Sequence, residues 1–521
     1  MKIVMTLAGH SRRFQAAGYD IPKPFLKIGD KKMIEHAVSM FDPSDEYYFI
    51  INEIQNRDYP EHVEELKRML PRTHVVVIPP HEKGPTFSAM AVEGIDDEDE
   101  VIVSYCDFFV DWDYARFKRF ASDYDAALPV FRGFQPASFG HTFYAYIRTD
   151  GNDFLELREK KSWTDKRWEE PASTGIYYFK RWKDFRDFGQ EVIEDTSREL
   201  PEAYTSLLYN PMKASGRRIG VFDVERFLCL GTPEDVEQYQ FWFDYFEVHQ
   251  PQLKALKEKT GDLKNGVNLV PMAGKGSRFQ KDGFRVTKPL IQICGEPMMV
   301  AASNSFPPAK KWVFLLRDTE LAKHPIEKAI HQRFEQARVI PVDHDTSGQA
   351  ATCLLAEREF EKDESLFIAS CDYQTIYDSQ KWESLIADES LDGVIWTYRL
   401  RSQLFKNPNA FAYCRVAEDG ENILEVVEKK TISDSPGEDP MVVGTFWYRR
   451  AQDFVEGARS MMADGITVNG EHYVGTSINA LLKVGKKFKI FDVTQWISFG
   501  DPFELQVYEY WEEHFHQRRG L

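Results

Sequence analysis

Short apolar runs alternate with longer amphipathic stretches along most of the chain. Ile3 to Leu7 is apolar, and Lys32 to Phe41 is amphipathic. Tyr47 to Ile51, a helix-like His62 to Leu70, Val75 to Ile78, a second helix-like run after Thr86, and Val101 to Tyr105 follow. Strand-length runs separated by helix-period segments predict βαβ units, hence a parallel sheet with helices on both faces. The second half follows the same plan from the apolar run Val267 to Met272. No run reaches 18 apolar residues, so no membrane span is expected. The chain opens directly on a strand-like run, which predicts no signal peptide.

The two halves also share their polar punctuation. After the first apolar run stands Leu7-Ala8-Gly9-His10-Ser11-Arg12-Arg13-Phe14, then Pro22-Lys23-Pro24-Phe25. The later copy reads Met272-Ala273-Gly274-Lys275-Gly276-Ser277-Arg278-Phe279, then Thr287-Lys288-Pro289-Leu290. The spacing from Gly9 to Lys23 is the same as that from Gly274 to Lys288. At a nearly constant offset of half the chain, Tyr105-Cys106-Asp107 falls on Ser370-Cys371-Asp372, and Glu159-Lys160-Lys161 on Glu428-Lys429-Lys430. Gly175 and Gly444 each lie equally far past their Glu and open aromatic, strand-like runs. Phe222-Asp223-Val224 falls on Phe491-Asp492-Val493, and Gly231-Thr232-Pro233 on Gly500-Asp501-Pro502. A period of this length predicts a duplicated domain and not a solenoid. The expected boundaries are 1–247 and 266–521, joined by a linker at 248–265 rich in Lys, Glu and Gln.

At 521 residues the chain exceeds one ordinary core. Its net charge of −18 argues against a general nucleic-acid binder, but leaves room for a phosphorylated small substrate held by a few local cations. The six cysteines form no CxxC and no zinc spacing, which predicts reduced, buried thiols and a cytoplasmic protein.

The chemistry follows from residue types at fixed spacing. A glycine loop after a strand lets backbone N–H groups approach a phosphate chain. Ala8 and Gly9, and Ala273, Gly274 and Gly276, are the expected nucleotide-binding loop residues, although Ser11 replaces the second glycine of the first copy. Arg13 and Lys23, and Arg278 and Lys288, supply a fork and a point charge for phosphate oxygens. Asp107 and Asp372 end apolar runs, at the strand tips where ligands bind in open α/β sheets, and suit a Mg²⁺ that also holds substrate phosphates. Lys160 and Lys429 are read as cations for a second phosphate, with Glu159 and Glu428 contacting substrate hydroxyls and Gly175 and Gly444 as further substrate-binding positions. Gly84 and the pair Gly348-Gln349 precede helix-like runs near the nucleotide; Gln349 can read a base edge and Pro85 cannot. The bland alternatives are a tight turn, an Asp that caps a loop and an exposed ion pair; the repetition favours function.

In combination these motifs resemble the sugar-phosphate nucleotidyltransferases (NDP-sugar pyrophosphorylases), once per half. The Glu428-Lys429-Lys430-Thr431-Ile432-Ser433-Asp434 stretch resembles the capsule-polysaccharide branch. The resemblance implies an α/β protein of two tandem nucleotide-diphospho-sugar transferase domains, Rossmann-like with a mixed, mostly parallel sheet. It implies a reaction of a nucleoside triphosphate with a sugar 1-phosphate or similar phosphomonoester, giving NDP-sugar and pyrophosphate. Arg278 and Lys288 would hold the triphosphate, Asp372 the Mg²⁺ and Lys429 the acceptor phosphate, with Arg13, Lys23, Asp107 and Lys160 in the same roles in the first half. Many relatives carry a second metal Asp just before the Gly-Thr turn, where this chain has Cys229 and Ser498. The carboxylates at matched positions in both copies, Asp223 and Asp492, stand six residues earlier, about 20 Å along a strand. The second half is expected to be the better catalyst. A glycosyltransferase of related fold and a non-catalytic nucleotide-sensing half are the competing readings; neither membrane nor nucleic acid is an expected partner, and a homo-oligomer is compatible with the sequence.

Overall fold

The computed structural model describes residues 1–139, 144–195, 200–251, 253, 266–399 and 407–518. The chain divides into two compact units, Met1–Trp242 and Phe243–Leu521. The divide falls inside a helix, Pro233–Phe243, which runs on as a π-helical turn, Asp244–His249. Of the expected linker, residue 252 and residues 254–265 lie outside the described residues.

In the first unit the strands Thr73–Ile78, Glu46–Asn52, Lys2–Thr6 and Val101–Tyr105 lie side by side and parallel. Ile176–Phe179 then enters antiparallel, followed by Ala126–Phe131 and Ile219–Asp223, which run parallel to each other. Strands buried on both faces need continuous apolar sequence. Ile3, Val4 and Met5 have no exposed surface, and neither do Phe49, Ile50 and Ile51. Each such side chain stabilises the fold by about 1.5–3 kcal/mol. The helix Pro60–Arg68 shows the local logic: proline begins it, Glu61 sits in its first turn, Lys67 and Arg68 in its last, and Val63 and Leu66 face inward.

The second unit has the same strand order. Arg338–Val342, Lys311–Arg317, Val267–Met272 and Leu366–Ile368 are parallel. Met441–Tyr448 enters antiparallel, then Gly393–Tyr398 and Phe488–Asp492 complete the main path. In both units the first strand has its successor on one side and the aspartate-tipped strand on the other. That reversal of strand order is the switch point at which open α/β sheets hold ligands.

A two-stranded ribbon stands over each switch point. Phe108–Asp111 pairs with Arg226–Cys229, setting Cys229 opposite Phe108. Tyr373–Ile376 pairs with Gln495–Ser498, setting Ser498 opposite Tyr373. Leu230 and Phe499 then donate backbone hydrogen bonds to the carbonyls of Asp107 and Asp372, both 2.8 Å. Each ribbon brings a distant Gly turn onto the aspartate.

Among the described residues no cysteine is disulfide-bonded. Cys106, Cys353, Cys371 and Cys414 are buried as expected, whereas Cys229 and Cys294 are only half-buried. Cys229 is drawn to the ribbon's end by its pairing, and Cys294 sits at a two-residue hairpin turn with φ 50°. Among the described residues no helix is long and apolar enough to cross a membrane.

Candidate active site

The glycine loops leave their strands at the switch points. Side chains from the neighbouring strand hold them by the backbone: Asn52 donates to the Ala8 carbonyl at 2.9 Å, and Arg317 to that of Ala273 at 2.9 Å. A Cβ added at Gly9 or at Gly274 would meet no protein atom within 4 Å, so both face open space. Ser11 and Gly276 begin the short helices Arg12–Ala16 and Ser277–Lys281, and both are left-handed, φ 53° and φ 60°. Ser11 thus adopts the conformation its missing glycine would favour, and its hydroxyl accepts the Lys23 N–H at 3.1 Å.

The structure brings each loop lysine onto its aspartate. Lys23 Nζ lies 2.6 Å from Asp107 Oδ2, and Lys288 Nζ 2.7 Å from Asp372 Oδ2. Lys288 also donates to the Gly500 carbonyl at 3.0 Å. Burial pulls each ammonium's pKa down, but the facing carboxylate outweighs it, so both lysines are held above the ordinary lysine range and stay charged. The expected arginines stand farther out. Arg278 is exposed and 3.5 Å from Asp501; Arg13 is exposed on its helix and acts on Tyr204 through charge.

Cys229 and Ser498 supply no second carboxylate, and Asp223 and Asp492 do not replace one. Asp223 pairs with Arg132 at 2.6 Å; Asp492 accepts from Thr397 at 2.6 Å and Arg399 at 3.2 Å. The carboxylates that do arrive are Asp235 and Glu504, from the first turn of the helix after each Gly turn. Asp235 Oδ2 accepts from Thr232 N–H and hydroxyl, both 2.9 Å, and from the Cys229 thiol at 3.3 Å. Glu504 Oε2 accepts from Ser498 at 2.7 Å and from the Asp501 N–H at 3.2 Å. A Cβ on Gly500 would stand 3.1 Å from Glu504 Oε2 and 3.6 Å from Asp372 Oδ2, so the two carboxylates flank one point. Burial, then the charge of Asp501, lifts the Glu504 carboxyl to about 7; Asp235 is raised too, chiefly by burial. Thr232-x-x-Asp235 and Asp501-x-x-Glu504 are capping boxes, a pattern visible in sequence that would have found both.

The lysines expected to be the second cations sit at strained turns. Lys160 and Lys429 both have φ 55°, uncommon for a residue with a side chain, and each donates its N–H to the residue just before a neighbouring strand, to Tyr144 O and Phe411 O. Lys160 Nζ reaches the Tyr204 hydroxyl at 2.6 Å, and Tyr204 hydrogen-bonds Glu202. Lys429 lies 5.6 Å from the centre of the Tyr473 ring and donates to the Ala410 carbonyl. Glu159 accepts from Ser206, whereas Glu428 accepts no hydrogen bond among the described residues. Gly175 and Gly444 pack against Phe108 and Tyr373, the residues next to the aspartates.

Gly84 and Gly348 precede the helices Pro85–Ala89 and Gln349–Leu354 with φ 99° and φ 132°. A Cβ there would come within 2.5 Å of the backbone N of Ala203 or of His472. Gln349 donates to Ser370 at 3.2 Å. Among the described residues no group of three or more His, Cys, Asp or Glu is placed to hold a metal ion. A single strand-tip carboxylate still suits Mg²⁺, which is held by one or two carboxylates together with substrate phosphates and water.

Residues 4–164 match the family described as MobA-like NTP transferase domain. No curated protein matches the chain. Among solved structures, the chain is similar to a nucleoside-diphosphate-sugar pyrophosphorylase from Vibrio cholerae RC9, 21% identical over 46% of this chain and 99% of that one, TM-score 0.39. It is also similar to the inositol-1-phosphate CTP transferase from T. maritima, 14% identical over 48% and 96%, TM-score 0.38. A putative glucose-1-phosphate thymidylyltransferase from Bacillus anthracis is 18% identical over 46% and 94%, TM-score 0.38. The fold is mixed α/β, and the family match over residues 4–164 supports nucleotidyltransferase as the enzyme class.

Proposed function

We propose that the chain is a tandem nucleotidyltransferase that joins a nucleoside triphosphate to a sugar 1-phosphate or polyol phosphate, releasing pyrophosphate, for a surface polysaccharide such as a capsule. The observation that carries this reading is the lysine–aspartate contact at the switch point beneath an open glycine loop, present in both units. Two polyanions must meet with the attacking phosphate oxygen in line with the leaving pyrophosphate. Such chemistry needs positive charge and fixed geometry more than general acids or bases. The backbone at Ala273, Gly274 and Gly276 faces the triphosphate, Lys288 and Arg278 balance its charge, and Gln349 stands on the base side. Lys429 receives the acceptor's phosphate and Glu428 its hydroxyls. Ala8, Gly9, Lys23, Arg13, Gly84, Lys160 and Glu159 take the matching places in the first unit. Asp372 and Asp107 would each hold a Mg²⁺, which when bound neutralises developing charge on the phosphates.

Support for a duplication extends beyond the motifs. Asn210 clamps both backbone groups of Leu157, and Asn479 does the same to Val426 at the matched place of the second unit. The buried Asp184 pairs with Arg181 and Arg217, and the buried Asp453 with Arg450 and Lys486, again at one common offset. The second unit, with both loop glycines and Gln349, is the stronger catalyst in this reading. The test is pyrophosphate release with Mg²⁺ over a matrix of nucleoside triphosphates and phosphorylated sugars and polyols. Turnover of at least one pair is expected. Sugar transfer from a nucleotide-sugar without pyrophosphate would favour the glycosyltransferase reading instead.

A further inference from the structure

Glu159 and Glu428 occupy matched places, yet their surroundings differ in one consistent way. In the first unit one hydroxyl bonds the carboxylate and two tyrosines feel its charge. Ser206, wholly buried, donates to Glu159 Oε2. Tyr177 hydrogen-bonds Ser206 and, at 3.3 Å, Ser173, and Tyr105 adjoins it with ring centres 5.6 Å apart. At the matched positions of the second unit stand Gly475, Phe446 and Ser370. Val426, Phe446 and Gly475 converge on one point there: a Cβ on Gly475 would lie 2.6 Å from Glu428 Oε1, 3.1 Å from a Val426 methyl and 3.6 Å from the Phe446 ring. Glu428 is left as a half-buried carboxylate against apolar groups with no hydrogen-bond donor among the described residues. Both units keep the rest of the subsite: the left-handed lysine, the tyrosine beside it (Tyr204, Tyr473) and the glutamate that tyrosine bonds (Glu202, Glu471).

We propose that residues 206 and 475, with 177 and 446 behind them, set acceptor selectivity, so that the second unit requires a phosphate ester whose hydroxyl donates to Glu428 while the first tolerates one without it. An unpaired carboxylate in an apolar wall penalises any ligand that fails to donate to it. In the first unit Ser206 already satisfies the carboxylate, and the penalty is removed in advance. The two units then act on different phosphorylated acceptors. This rests on the nucleotidyltransferase reading above and specifies its acceptor side.

The experiment uses the full chain with one unit silenced: Asp107→Asn leaves the second unit, Asp372→Asn the first. kcat and KM for pyrophosphate release are measured with aldose 1-phosphates and polyol phosphates, each beside its monodeoxy analogues. In the Asp107→Asn protein, removal of one particular hydroxyl should lower kcat/KM about 10- to 100-fold, the range of a hydrogen bond to a charged group. Adding Gly475→Ser should shrink that ratio to a few-fold, and Phe446→Tyr should do so without altering the backbone. Ser206→Gly in the Asp372→Asn protein should create the discrimination. Equal turnover of every acceptor and its deoxy analogues by the second unit, or an unchanged ratio in both Gly475→Ser and Phe446→Tyr, overturns the proposal while leaving the nucleotidyltransferase reading intact. Absence of pyrophosphate from every pairing, including the unmutated chain, overturns the reading and the proposal together.

Discussion

At the scale of single residues, two half-buried charges make separate predictions. Burial lifts the Glu428 carboxyl to about 7, Lys429 opposing it, while the unfolded chain titrates near the ordinary value of 4.5. A carboxyl whose folded pKa is raised contributes its full stability below pH 4.5 and loses it as pH climbs through about 7. Glu428→Gln should therefore raise the melting temperature more at pH 8 than at pH 5; an equal change at both pH values would contradict the assignment. Lys288→Met should abolish the second unit's pyrophosphate release, a loss of about 10²–10³-fold for one electrostatic partner. It leaves Asp372 without its 2.7 Å partner, so stability should fall as well. The loop lysines and strand-tip aspartates were legible in the sequence because matched spacing singles out chemistry. Asp235 and Glu504 were overlooked although their capping boxes are written in the sequence, because a cap reads as helix punctuation until the ribbon folds it onto the aspartate.

Secondary-structure elements were readable where one period governs them. Val101–Tyr105 and Val267–Met272 stand where their apolar runs lie. The helix expected over Lys32 to Phe41 is shorter, Met33–Val38, because Lys32 is its extended cap and the segment after Ser39 turns into the next strand. The ribbons were not legible, since Arg226–Cys229 finds its partner in a segment far upstream. Gly84 and Gly348 place an element-scale demand. Each starts a helix with a left-handed φ at a point where an added Cβ would run into the backbone of a distant segment. Gly348→Ala and Gly84→Ala should each cost about 1–3 kcal/mol or more, read as a shift in denaturation midpoint at constant slope. Asn479→Ala should cost about 1–3 kcal/mol, because it strands both the N–H and the carbonyl of Val426.

On the scale of the whole molecule, the proposed function predicts two separable activities, one per unit of the shared strand order. Asp107→Asn and Asp372→Asn should each remove one subset of products from the substrate matrix, and the double variant should remove all of them, as read by mass spectrometry. A single product set that vanishes equally with either variant would refute independent units. The alternation of apolar and amphipathic segments carried most of this architecture; what it could not carry was the antiparallel entry of Ile176–Phe179 and Met441–Tyr448, which depends on pairing and not on period. In a chain of net charge −18, each switch point nonetheless starts with its ammonium already wedded to its aspartate. Neither a lone cation nor a lone polyanion gains much there, because each must break up that couple and leaves one member stranded. On the proposed function, Asp107 and Asp372 would hold the cation and Lys23 and Lys288 the phosphate, each guest freeing the host of the other, so occupancy by one should strongly sharpen affinity for the other.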